Sequence, residues 1–205
     1  MKRFPFITLL ISALACLLML LPATAHNALY FDHQQLARGH FWVLLTGHWI
    51  HADVQHLAWN VTALAVLAAI LETRSRRLLL WSLCIGTVCV DLLLLSPLSL
   101  LQRYCGLSGL LNTLLGVALY QYWRETRSTL VILVAILCIA KIALEIFSGQ
   151  SVFTDISWPP FAMAHLAGML GVPWVISASK ANNSGHRSPI PLPEGKNHGH
   201  LVTGK

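Results

Sequence analysis

The sequence predicts an all-α membrane protein, a bundle of six transmembrane helices, and three observations carry that prediction. First, 56% of the residues are hydrophobic and only 11% charged, with a mean hydropathy of +0.64. A soluble domain carries roughly a quarter charged residues. Second, the apolar residues gather in long runs near 4–21, 57–71, 78–95, 106–123, 129–146 and 161–176. Each approaches the roughly 17–25 residues that a spanning helix needs. Third, Lys and Arg collect at alternate ends of these runs, as cytoplasmic segments do. One membrane domain over 1–178 is expected, followed by a polar tail over 179–205.

The first run opens "MKRFPFITLL" and closes on Ala-x-Ala at Ala25, which is also the form of a signal peptide. Its apolar stretch exceeds the usual 7–15 residues, and losing it would leave the two termini on opposite sides. It is therefore expected to stay as the first helix. The long connection at 22–55 carries Phe41, Trp42, Leu44, Leu45, Trp49 and Ile50. Such an amphipathic segment is expected to lie in the outer interface against the bundle. The remaining connections are short. The tail is rich in Gly, Pro, Asn and His, too polar to bury a core, and expected to be disordered in the cytoplasm.

With the N-terminus inside, Lys2, Arg3, Arg74, Arg76, Arg77, Arg124, Arg127, Lys180, Arg187, Lys196 and Lys205 all fall on the inner side. Only Arg38 and Arg103 fall outside, and Lys141 lies within the fifth run. Trp81, Tyr120, Tyr122, Trp123 and Trp174 sit at inner helix ends and Trp158 at an outer one, as interfacial anchors do. The net charge of +6 therefore reflects topology, and no nucleic-acid partner is expected.

Polar residues then coincide in depth. The second helix begins "HLAWN", placing His56 and Asn60 on one face at i and i+4. Ser108 lies in the first turn of the fourth helix, and His165 follows Pro159–Pro160 in the sixth. All three helices run inward, so these side chains share a shallow depth below the outer surface. Separately, Gly106, Ser108, Gly109 and Gly116 could be close-packing positions, and His165 a hydrogen-bonded histidine beside Gly168. Together they point to chemistry, because ionisable groups in a bilayer are costly. A serine hydroxyl becomes a nucleophile when an imidazole takes its proton. The oxyanion formed then needs donors such as His56, Asn60 or the Ser108 N–H at a helix N-terminus. No carboxylate has an evident third role, so a Ser–His dyad is expected.

"HxxxN" at 56–60, "GLSG" at 106–109 with Gly116 eight residues after the serine, and "AHLAG" at 164–168 resemble the signature motifs of rhomboid intramembrane serine proteases. They stand in the family's order on the second, fourth and sixth helices, and the resemblance covers about residues 1–178. It implies a six-helix rhomboid-like bundle with Ser108 as nucleophile and His165 as general base. It also implies His56, Asn60 and Gly106 around the oxyanion and substrate, and the 22–55 connection as a membrane-embedded loop. Thr46 and His51 stand at familiar offsets before His56. Three positions depart from the pattern: Val43 follows Trp42 where many rhomboids have Arg, Asn112 replaces a Tyr, and Gly168 pairs with Gly171 ahead of Pro173. Asn112 is expected to support the imidazole. The short chain and its "CGLSG" run are most similar to the rhombosortase branch, which implies substrates with a C-terminal Gly-Gly-type sorting tail. A membrane-anchored protein substrate is expected, in a bacterial inner membrane with both termini cytoplasmic and the site facing the periplasm. A catalytically silent relative that only binds membrane helices is the alternative.

Three charges remain within the membrane: Asp91, Lys141 and Glu145. A transporter would use such groups, but a Lys141–Glu145 pair at i,i+4 is the expected arrangement. Four of the five cysteines lie within apolar helices, where a small buried side chain is the default. Cys105 sits at the outer mouth of the fourth helix, and in an oxidising compartment Cys89 is the candidate partner for a disulfide, which the sequence leaves open. His48, His51 and His56 have ligand-like spacing, yet nothing completes a metal site, so neither metal nor cofactor is expected.

Overall fold

In the computed structural model, residues 4–99, 101–152 and 161–184 are described, the last four by backbone alone. Trp158, Pro159–Pro160 and the tail beyond 184, with its histidines, lie outside the described residues. The chain begins with α1 (Phe6–Leu18) and α2 (Ala23–Asn27), then β1 (Phe31–Asp32), α3 (His33–Ala37) and α4 (Val43–Thr46). Next come α5 (Val54–Arg74), α6 (Arg76–Leu94) and β2 (Arg103–Tyr104). The last elements are α7 (Ser108–Thr126), α8 (Thr129–Ser148), α9 (Ala162–Leu170) and α10 (Val172–Ser184).

Local chemistry sets these boundaries. Asp53 caps α5, its carboxylate accepting the His56 N–H at 2.7 Å. Ser75 alone separates α5 from α6; it is extended, and its hydroxyl accepts the Leu78 N–H. Gly149, at φ +67°, closes α8. The all-helical expectation needs one amendment: β1 and β2 pair antiparallel, Phe31 opposite Tyr104 and Asp32 opposite Arg103. This short ladder clamps the long loop onto the approach to α7.

Among the described residues, four segments are long and apolar enough to cross a membrane: α5, α6, α8 and the α9–α10 run Ala162–Lys180. The expected six spans are not all of that kind. The apolar α1 has only 13 residues. The 19-residue α7 carries Ser108, Asn112, Thr113, Gln121, Arg124 and Glu125 along its length. It nevertheless forms the centre of the bundle, packed against α5, α6, α8, α9 and α10, with Leu110, Leu111, Leu114 and Val117 in the core. Neighbouring helices shield its polar groups from lipid, so α7 need not be apolar all round. The outer surface of α8, with Leu130, Leu133, Ile136 and Phe147, is exposed, as a lipid-facing helix requires.

The two ends of the bundle differ. At one, Arg74 of α5 meets Glu125 of α7 at 2.7 Å, and Arg77, Arg124 and Lys180 line the same hollow. At the other lie the loop elements, the ladder and the first turn of α7.

Candidate active site

The turn into α7 is built for close approach. Gly106 has φ +109°, a conformation that L side chains rarely adopt. A Cβ there would sit 2.6 Å from both Cε1 and Nε2 of His56 and 3.4 Å from the Asn60 amide nitrogen. The Gly106 backbone is therefore in contact with the two side chains that α5 presents. The Gly106 N–H donates to the Gly47 carbonyl at 3.0 Å, tying the turn to the long loop. Tyr104 completes it: its hydroxyl donates to the Gly106 carbonyl at 2.9 Å and lies beside the Ser108 side chain and the Gly109 N–H. Burial pushes the Tyr104 phenol well above its ordinary pKa, which keeps it protonated as a donor.

Ser108 opens α7, whose N-cap Leu107 makes no side-chain hydrogen bond to the first turn. One residue on, Gly109 makes the closest approach between α7 and α9. A Cβ at Gly168 would overlap the Gly109 carbonyl oxygen, and one at Gly109 would lie 3.1 Å from the Ala164 carbonyl oxygen. Thr113 strengthens the seam, its hydroxyl donating to the Gly168 carbonyl at 2.7 Å. Ser108 and His165 thus flank a backbone-to-backbone contact of their two helices. No hydrogen bond joins their side chains; catalytic contacts commonly tighten only when substrate is bound.

His165 does have a partner, and it corrects the expectation that no carboxylate serves it. His165 Nδ1 lies 3.0 Å from Oε2 of Glu145 on α8. Glu145 is 2% exposed and also binds Lys141 Nζ at 2.8 Å. Its local pairing with Lys141 was legible at i,i+4; its reach to another helix was not. Asn112 does not support the imidazole. Its amide donates to the Ser108 carbonyl at 2.8 Å, one turn back on its own helix. Nor do Asp91, Lys141 and Glu145 line a common path, since Asp91 on α6 is taken by His48 Nε2 at 3.1 Å. That contact fastens the long loop to the bundle, and the buried His48 ring also meets Tyr104 edge-on.

The candidate Cys89–Cys105 disulfide is not formed. Cys89 and Cys105 are both free thiols. Cys105 is buried with Tyr30 and Ile50 beneath the loop, whereas Cys89 borders an apolar groove with Leu92, Met163 and Leu166. Burial raises the Cys105 pKa to about 12, so it behaves as a small apolar side chain.

His51, just before α5, is 1% exposed and packs edge-on against His56 at 5.1 Å. Burial first, then the neighbouring His56, pushes its pKa down from 6.5 to about 3. The unfolded chain then binds a proton that the folded chain refuses. This stability is complete above pH 6.5 and is lost as pH falls toward 3. At pH 5 the loss is about 2 kcal/mol. Thermal unfolding of purified protein should therefore show a steeper fall between pH 7 and 5 than in His51→Gln; identical slopes would refute it.

A shallow apolar groove runs beside the site between α5 and α8, floored by α7. Ala63, Leu67, Leu111, Leu115, Val134 and Leu137 line it, with Asn112 and Lys141 as its polar members.

Together these features define a polytopic helical membrane protein whose α5 sets His56 and Asn60 against the Gly106 turn into its central helix. A family model described as Rhomboid domain matches residues 38–178, and the chain belongs to the rhomboid family. Rhomboids are generally intramembrane serine proteases that act on membrane-protein substrates. No curated protein matches the chain.

Proposed function

We propose that the chain is an intramembrane serine endopeptidase in which Ser108 is the nucleophile and His165 the general base. The observation that carries this reading is the close approach of α7 and α9 at Gly109, Ala164 and Gly168, the residues beside and one turn from Ser108 and His165. Ser108 Oγ attacks the scissile carbonyl, and its proton passes to His165 Nε2. The oxyanion is met by the N–H groups of the α7 first turn with His56 and Asn60, gathered around Gly106. The imidazolium then protonates the leaving amine, and water resolves the acyl-enzyme by the same route. A substrate helix must open locally, because an intact helix hides its carbonyls. The groove between α5 and α8 suits such a segment, since it is apolar and includes Asn112, one turn from Ser108 on α7.

The resemblance to the rhombosortase branch leads us further, to substrates ending in a Gly-Gly-type sorting tail. The site then faces the periplasm of a bacterial inner membrane, with the basic end and both termini in the cytoplasm. Fluorophosphonate labelling of purified protein tests the chemistry. Wild type should label, while Ser108→Ala and His165→Ala should not; equal labelling of all three would overturn the protease reading. A silent helix-binding relative would label in none. Co-expression with a protein bearing a sorting tail tests the substrate, with processing by wild type and none by Ser108→Ala.

A further inference from the structure

We infer that Glu145 is a positioning residue for His165, holding the imidazole in the tautomer that leaves Nε2 free to accept the Ser108 proton. This rests on the protease reading above and adds a third member to its dyad. Two observations support it. Glu145 is one of three buried residues of α8, with Val131 and Ile142, on a helix otherwise turned largely to lipid. A charge placed inward on such a helix needs a reason, because a buried carboxylate is costly without partners.

Its partners also decide where the protons are. Oε1 accepts from Lys141 Nζ at 2.8 Å and from the Val152 N–H at 3.0 Å, and Oε2 faces His165 Nδ1 at 3.0 Å. An ammonium and a backbone amide can only donate. The carboxylate is therefore an acceptor on every side, its charge balanced by Lys141. The proton in the Glu145–His165 contact belongs to Nδ1, and in a neutral ring Nε2 then carries the lone pair. When Ser108 loses its proton to Nε2, Nδ1 keeps its own and Glu145 stays ionised beside the imidazolium.

A purely structural role predicts something else. Lys141 and Val152 already satisfy one oxygen, and a tie between α8 and α9 would survive in Glu145→Gln, whose amide can bond Nδ1 in either tautomer. The Glu145→Gln amide can donate to Nδ1, which favours the opposite tautomer.

Nitrogen NMR of wild-type protein labelled at its histidine rings decides the tautomer directly, with His165 assigned by its loss in His165→Asn. A neutral ring protonated at Nδ1 is expected; protonation at Nε2 would overturn the inference, whether or not any Glu145 variant folds. Fluorophosphonate kinetics supply the second readout. In Glu145→Gln the maximal inactivation rate should fall about 10²–10⁴-fold with the probe's binding constant unchanged, and Glu145→Asp should restore part of it. A folded Glu145→Gln that labels at the wild-type rate would refute the role. Ser108→Ala is run alongside. If it labels like wild type, the protease reading itself fails; if it does not and Glu145→Gln is unaffected, only the positioning role fails.

Discussion

Gly168→Ala is expected to lower fluorophosphonate labelling at Ser108 by about 10²-fold while leaving the protein folded. A Cβ at this position would overlap the Gly109 carbonyl oxygen and sit 2.8 Å from its carbon. Both are backbone atoms of the central helix, so no side-chain rotation relieves the clash, and α7 and α9 must separate. That movement stretches the Thr113–Gly168 hydrogen bond of 2.7 Å and carries His165 away from Ser108. Overpacking of this kind costs about 1–3 kcal/mol. Alanine's better helix propensity returns only about 0.5–1 kcal/mol, so the clash wins. A misplacement of about 1 Å between reacting groups suffices for a 10²-fold loss. Gly171→Ala is the control, because its Cβ would meet Cys89 Sγ and the Gly168 carbonyl oxygen at 3.2 Å, contacts that small shifts can absorb. Wild-type labelling in Gly168→Ala would show that the glycine seam does not set the distance between nucleophile and base.

The parts of this site legible in the sequence share a physical cause. His56, Asn60, Ser108 and His165 stand out because polar groups in apolar runs are expensive, and helical periodicity alone places them at one depth. What escapes is any contact whose local alternative is already satisfactory. Glu145 has Lys141 at i+4 spacing, so nothing in the pattern demands a third partner on another helix. Asn112 bonds its own helix backbone at Ser108 rather than the neighbouring ring, a choice that only the packed geometry decides. The two-residue strands around Phe31 and Tyr104 are too short for any alternating pattern. The centrality of α7 is likewise hidden. Apolar content measures contact with lipid, and the helix farthest from lipid has least need of it.

Glu72→Leu and removal of residues 1–25 are each expected to cost about 3–5 kcal/mol, and the two losses should not add. Glu72 is fully buried near the end of α5, where its carboxylate accepts the Ile7 N–H at 3.0 Å, the Thr8 N–H at 2.8 Å and the Thr8 hydroxyl at 2.9 Å. Those amides belong to the first turn of α1, which has no cap of its own after Pro5. The acid therefore serves as an N-cap supplied from another helix, favoured also by the α1 dipole. Cleavage at Ala25, as the signal-peptide form of this segment allows, would leave that carboxylate buried with only Arg76, at 3.5 Å, to balance it. In the truncated chain, Glu72→Leu should then recover stability, because an apolar residue is better tolerated than a charge without donors. In the full chain the same substitution should destabilise, since it orphans the α1 amides. Denaturant unfolding of the four purified proteins measures the cycle. Equal losses from Glu72→Leu with and without α1 would mean that the acid does not hold this helix in the fold.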